Sequence, residues 1–157
     1  MYKEIVEKLK QKNLTIATME SCTGGAIVNE ITNIEGASEV LLYSAVTYSN
    51  EYKIKMGVNR NTIEKYSVYS IETAREMAKN IKKFSHADIG IGITGKLKRK
   101  DKNNSFGQDN QVFINILYHN KSYDYTFTVT KKTRTSNKKA LINFIGEQLI
   151  TLLEKCE

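Results

Sequence analysis

The chain has no proline and no tryptophan, and only two cysteines and two histidines among its 157 residues. Without proline, no cis-proline turn is available to it. The cysteines, Cys22 and Cys156, lie far apart and neither belongs to a C-x-x-C pair. With His86 and His119 as the only imidazoles, a zinc site of usual spacing is excluded. No apolar run reaches 18 residues, so no transmembrane helix is expected. The N-terminal stretch Met1-Tyr-Lys-Glu-Ile-Val-Glu-Lys-Leu-Lys10 alternates charge with apolar residues at helical spacing. It lacks the uninterrupted apolar centre of a signal peptide. A cytoplasmic protein with no membrane partner is the expectation.

What is present supports one core. A chain of 157 residues with a hydrophobic fraction of 40% is expected to form a single domain over 1–157. The formal net charge of +7 suits nucleic acid or an anionic small molecule. Basic residues concentrate in Lys96-Leu-Lys-Arg-Lys-Asp-Lys102, in Lys131-Lys-Thr-Arg134 and at Lys138-Lys139. The first run holds no aromatic residue that could stack a base, so a solvated lysine surface is favoured over a nucleic-acid groove.

Periodicity predicts a helix over 2–12, a strand over Leu14–Met19 and a helix over 24–33. A turn at Gly36-Ala-Ser38 precedes a β-rich run, Val40–Tyr48. Short helical pieces follow over 50–56 and 60–66, and Ser70 caps a helix running to Phe84. Residues 87–94 form a strand whose Gly90 and Gly92 imply a close neighbour on one face. Residues 96–110 read as a mobile, charged loop. Val112–Tyr118 and Tyr123–Thr130 make a hairpin through His119-Asn-Lys-Ser122, and Arg134–Lys155 is a long closing helix. This order mixes crossovers with a hairpin and demands an α/β fold: a three-layer α/β/α sandwich on a mixed sheet of about five strands.

The most informative stretch is Thr15-Ile-Ala-Thr-Met-Glu-Ser-Cys-Thr-Gly-Gly25, a β-prone run ending in a small, glycine-rich turn before a helical pattern. A serine there sits at a sheet end, near free N–H groups that favour negative charge. That suits a nucleophile beside an oxyanion hole, or a phosphate cradle; it also suits an ordinary capped turn. Cys22, next to Ser21, is a second possible nucleophile, but its side chain should point away from that of Ser21. Neither histidine is placed to serve as a base, His86 preceding a strand and His119 ending one. A lysine can serve instead if burial or nearby cations bring its pKa from ~10.4 toward 7–8. Lys53 follows Tyr48-Ser-Asn-Glu-Tyr52, and a parallel neighbouring strand would bring it beside Ser21.

Glu20-Ser-Cys-Thr-Gly-Gly25, Glu35-Gly-Ala-Ser38, Val46-Thr-Tyr-Ser-Asn-Glu-Tyr-Lys53, Met56-Gly-Val58, Val68-Tyr-Ser70, Ala74-Arg-Glu-Met-Ala78 and Ala87-Asp-Ile-Gly-Ile-Gly-Ile-Thr-Gly95 follow one another in that order. In order and spacing they resemble the CinA C-terminal domain family, whose stand-alone members include nicotinamide-nucleotide amidohydrolases. The resemblance is specific over 1–95 and looser from 110 to 157. It implies a three-layer α/β/α fold and a Ser/Lys dyad at Ser21 and Lys53, with Tyr48 near the same catalytic site; Thr94, ending the isoleucine strand, joins that site if its strand is parallel to the first. Glu20, Thr23, Gly24, Gly25, Gly95 and Arg134 are the expected substrate-binding positions. Thr23 and the N–H groups around Gly24-Gly25 hold either phosphate or oxyanion, and Glu20 orients the turn or a neighbouring base. Arg134 stands where the family carries an arginine after its last strand, in a poorly matching Lys-Lys-Thr-Arg context.

The implied reaction is hydrolysis of the carboxamide of nicotinamide mononucleotide to the nicotinate nucleotide and ammonia, without cofactor or metal. The expected partner is a nucleotide substrate, and the expected assembly a homo-oligomer, a dimer. After Gly95 the family continues into an alanine-glycine-proline segment; here stands Lys96-Leu-Lys-Arg-Lys-Asp-Lys-Asn-Asn-Ser-Phe-Gly-Gln-Asp-Asn110. That departure favours a second reading, a hydrolase of another small amide or nucleotide. Lys96, Lys98 and Arg99 are then the residues expected to close on a phosphate. A third reading is a non-catalytic, competence- or DNA-damage-associated interaction domain.

Overall fold

The computed structural model describes residues 1–97 and 110–155. In chain order the elements are α1 (Tyr2–Gln11), β1 (Ile16–Glu20), α2 (Ala26–Thr32), β2 (Ala45–Val46), α3 (Asn50–Lys55), α4 (Arg60–Tyr66), α5 (Ile71–Ser85), β3 (Ile89–Gly95), β4 (Gln111–Tyr118), β5 (Lys121–Thr128) and α6 (Arg134–Lys155). The sheet order is β2-β1-β3-β4-β5. β1 is parallel to both β2 and β3, whereas β3–β4 and β4–β5 are antiparallel. The expected mixed sheet of five strands, covered by helices on both faces, is present.

The alternation of β1 and β3 divides the interior. Ile16, Ile89, Ile91 and Ile93 join the larger core with α1, α2 and α6, among them Ile5, Leu9, Ile27, Leu141 and Ile145. Ala17 and Met19 face the other way, toward Met77 and Ile81 of α5. Gly90 and Gly92 of β3 lie directly under α5. A Cβ on Gly92 would collide with the Ala74 carbonyl oxygen and the Ala78 nitrogen, both of which are backbone. α5 starts as its sequence predicts, with Ser70 Oγ accepting from the Thr73 N–H at 3.1 Å.

The run Val40–Tyr48 is not the strand its residues suggest. A 3₁₀ turn covers Ala37–Glu39, and only Ala45–Val46 pairs in register, with Met19 and Glu20. The Ile16 N–H donates to Val40 O at 2.8 Å, but the next outward donor, Thr18 N–H, reaches the Ser44 side-chain oxygen at 2.9 Å. Four residues of this segment thus advance against two of β1. The surplus is pushed out of the ladder, leaving Leu42 73% exposed. At a sheet edge nothing on the far side restores the register.

Smaller differences concern boundaries. The hairpin turn is shorter than expected, because Lys121 and Ser122 already pair with Tyr118 and Leu117. Most of the expected loop over 96–110, including Lys98 and Arg99, lies outside the described residues, as does Cys156. Its first two residues are not part of a solvated loop: Lys96 and Leu97 are both buried.

The close approach of β3 to α5 predicts that Gly92→Ala lowers unfolding free energy by about 3 kcal/mol, since backbone on a packed helix cannot yield as a side chain can. Urea denaturation checks this; unchanged stability would show that α5 stands further from the sheet.

Candidate active site

Ser21 follows β1 directly, its own N–H donating to Ile93 O at 3.0 Å and so tying it to β3. After it the chain turns through Gly24 (φ +62°) and Gly25 (φ +91°), two successive left-handed positions that glycine adopts at little cost. Glu20 holds this turn from inside. Its carboxylate is fully buried and accepts from Thr18 Oγ1 (2.9 Å), Thr23 Oγ1 (2.7 Å), the Ile27 N–H (2.9 Å) and the Val28 N–H (3.0 Å). The last two are unsatisfied first-turn amides of α2, so a carboxylate does here what a capping side chain does elsewhere.

Lys53 arrives from the other side. Beyond β2, Thr47 donates its N–H to Glu20 O at 2.9 Å, and Ser49 caps α3. Lys53 is the one buried residue of that short helix. Its Nζ donates to Ser21 Oγ at 2.8 Å and to Thr47 O at 2.6 Å. The side chain is 1% exposed, and neither hydrogen-bond partner is an anion. Burial therefore pushes the Lys53 ammonium down to about 8, against a weaker opposing influence from Cys22. The parallel pairing of β1 with β2 brings Ser21 and Lys53 together, as the sequence led us to expect.

Cys22 is buried, and that burial pushes its thiol up to about 12, with Lys53 opposing. A thiol so placed stays protonated and is a poor nucleophile. Ser21 is the one of the adjacent pair that meets the lysine.

The remaining expected positions divide. Thr94 is fully buried and donates its hydroxyl proton to Val68 O at 2.9 Å, which fixes the segment leading into α5. Tyr48 is 66% exposed and stands at the rim, where its oxygen accepts from Arg134 Nη2 at 3.5 Å. The two rim residues are brought together, but neither reaches the dyad among the described residues. Thr23, expected to bind substrate, is spent on Glu20, and Glu20, placed among the substrate-binding positions but also expected to orient the turn, does the latter. Gly95 is likewise structural: a Cβ there would meet Gln111 O and Val112 Cα across the β3–β4 ladder.

Of the turn's amides, Gly24 N–H donates to Ser21 O and Ala26 N–H to Thr23 O. The Cys22 N–H leans on its own thiol, which among the described residues leaves Thr23 and Gly25 as the turn's uncommitted donors. Lys138 of α6 escaped prediction as a site residue: its Nζ lies 3.8 Å from where a Cβ on Gly24 would sit. In the sequence it is one lysine of a basic run, and only the return of α6 over the turn singles it out. Lys96 is also drawn in, its Nζ 4.8 Å from the centre of the Tyr69 ring. Asn137 staples both flanks, donating to Leu97 O and Lys131 O and accepting from the Lys131 N–H.

Comparison with known proteins gives the family and the fold. A family model described as CinA C-terminal domain matches residues 1–153. A protein of Thermoanaerobacter sp. (strain X514), provisionally named competence-damage inducible, is 50% identical over 94 residues, covering 59% of this chain and 23% of that relative. The chain thus spans about a quarter of the length of such curated relatives. Among solved structures, the competence/damage inducible protein CihA from Agrobacterium tumefaciens aligns with a TM-score of 0.85 at 27% identity, covering 96% of this chain and 94% of that one. A competence-damaged protein (CinA) superfamily protein from Klebsiella pneumoniae 700603 aligns with a TM-score of 0.89 at 20% identity, covering 99% of both chains, and shares the fold.

Glu20→Ala leaves three buried donors and one partly buried donor without their acceptor and should lower stability by about 3 kcal/mol, measured by denaturant unfolding. A loss below about 0.5 kcal/mol, the range of surface substitutions, would contradict its role as the internal cap of α2.

Proposed function

The chain belongs to the CinA C-terminal domain family, and we propose that it is a serine-type amide hydrolase acting on nicotinamide mononucleotide. The observation that carries this reading is the 2.8 Å hydrogen bond between Ser21 Oγ and a buried lysine whose pKa is lowered to about 8. An exposed lysine, near ~10.4, is almost wholly protonated at neutral pH and cannot take a proton from serine. A lysine near 8 is neutral in about one molecule in ten at pH 7, enough to act as base.

In this mechanism neutral Lys53 accepts the Ser21 proton as Oγ attacks the carboxamide carbon. Thr47 O, held 2.6 Å from Nζ, keeps the amine aimed at Ser21. The oxyanion forms beside the amides of Thr23 and Gly25. Protonated Lys53 then passes its proton to the departing nitrogen, which leaves as ammonia. Water, deprotonated by the same lysine, attacks the acyl-serine and releases the carboxylate. Arg134 and Lys138, at the mouth of the turn, supply the positive charge for the nucleotide phosphate, the guanidinium being able to grip it bidentately. The carboxamide substrate itself comes from the family resemblance.

A second reading, hydrolysis of another small amide, is favoured by one observation. Lys96, where the sequence begins to depart from the family pattern, is a buried cation at the end of β3, the strand next to the one that carries Ser21. A lysine at that strand end, where the family carries small apolar residues, favours a different small amide or nucleotide as substrate.

Ammonia release from nicotinamide mononucleotide, run beside a panel of other primary amides, tests both readings. Ser21→Ala and Lys53→Ala should each lower kcat by about 10³-fold or more, with the double variant little worse than either. Losses that multiply, or a Lys53→Ala variant of near-normal rate, would contradict the dyad. Turnover of another amide but not the nucleotide would select the second reading.

A further inference from the structure

At the end of the sheet opposite Ser21, a cleft of about 730 Å³ opens between the C-terminus of α5 and the β4–β5 turn. Ser21 follows the C-terminal end of β1, whereas this cleft lies at the N-terminal end of β3. A seven-residue strand, roughly 20 Å, separates the two ends. The cleft is more open to solvent than enclosed, a shape that suits a hydrated, charged ligand rather than an apolar one.

The lining is strongly one-signed. Lys79, Lys82 and Lys83 stand at i, i+3 and i+4 of α5, on one helix face, and all three line the cleft. Lys8, Lys10, Lys55 and Arg75 each meet a carboxylate elsewhere on the surface; among the described residues none of these three does. His86 and His119 complete the wall. His119 is held in place by stacking on Tyr118, with ring centres 4.6 Å apart. The one acid among the described lining residues, Asp88, has its Oδ2 engaged by Thr15, accepting from the Thr15 N–H at 2.8 Å and Thr15 Oγ1 at 3.1 Å, so one negative charge stands against three lysines. A helix C-terminus attracts lysines by itself. That accounts for the last turn of α5, but not for the concavity facing a fixed imidazole on another element.

We propose that this cleft is a second binding site, distinct from the Ser21 site, for an oligophosphate: inorganic pyrophosphate or the phosphate tail of a nucleotide. Three ammonium groups on one helix face match a chain of linked phosphates better than a single small anion. Imidazole N–H groups across the gap add directional donors. The proposal does not depend on the hydrolase reading.

Calorimetric titration of the whole chain with pyrophosphate and, separately, with ATP tests it. Saturable binding is expected for at least one of the two. The Lys79→Gln/Lys82→Gln/Lys83→Gln variant, which keeps most of each side-chain stem, should weaken it by about two orders of magnitude. Covalent labelling of Ser21 by a fluorophosphonate should be unchanged in that variant. Binding of both ligands assigns recognition to the phosphates alone, and binding of ATP only adds the nucleoside to it. Three results overturn the proposal: no saturable binding of either ligand, binding that survives the triple substitution but falls with Arg134→Gln and Lys138→Gln, and single-stranded DNA bound more tightly than both ligands and not displaced by pyrophosphate.

Discussion

A lysine ammonium buried without an anion is the constraint around which this structure is arranged. Lys53 is 1% exposed, and among the described residues its Nζ hydrogen-bonds only a serine hydroxyl and a backbone carbonyl. Desolvation makes its charge costly, and the lowered pKa is the measure of that cost. The sign is unambiguous. With a folded value near 8 against 10.5 for a free lysine, the burden on stability is fully present below pH 8. It is relieved as pH rises from there toward 10.5 and amounts to roughly 3 kcal/mol. A fold that carried this without return would be improved by almost any neutral replacement. A lysine that can give up its proton beside a serine supplies the return.

Everything needed to hold Lys53 there is local to one sheet edge. β2 contributes only two paired residues, yet these fix Thr47, whose N–H is bound to Glu20 and whose carbonyl faces Nζ. Glu20 spends its carboxylate on the first amides of α2 and its backbone oxygen on Thr47. One buried acid therefore anchors both the turn carrying the serine and the segment carrying the lysine. The acid and the base of this site do not neutralise each other; each is committed to a different task. Around the mouth, Arg134 and Lys138 on α6 face the turn, so the approach is electropositive while the centre is a neutralisable amine.

The parts of this site that were legible in sequence are those set by short-range patterns. Ser21, the double-glycine turn and the cap at Ser70 follow from local chemistry, and Lys53 from a parallel strand pair combined with the family resemblance. The longer β-run failed because alternation in Val40–Tyr48 says nothing about having only one neighbour, and an edge segment can shed its extra residues outward. Glu20 was expected both among the substrate positions and as the residue that orients the turn, and Thr23 as a phosphate or oxyanion donor, because a polar residue beside a nucleophile reads the same whether it faces outward or inward. Their burial follows from the register of β1 against β3, which is tertiary information. Lys138 and the α5 lysines share that difficulty: 24 residues of this chain are lysine or arginine, and folding alone decides which of them gather around a cavity.

The central claim is that Lys53 can lose its proton near neutral pH within the intact fold. The most direct measurement is NMR titration of the Lys53 side chain in protein labelled with ¹³C at lysine Cε, the resonance being assigned by its loss in Lys53→Arg. A midpoint near 8, well separated from the exposed lysines, is expected. A midpoint above about 10, in the range of ordinary exposed lysines, would contradict it.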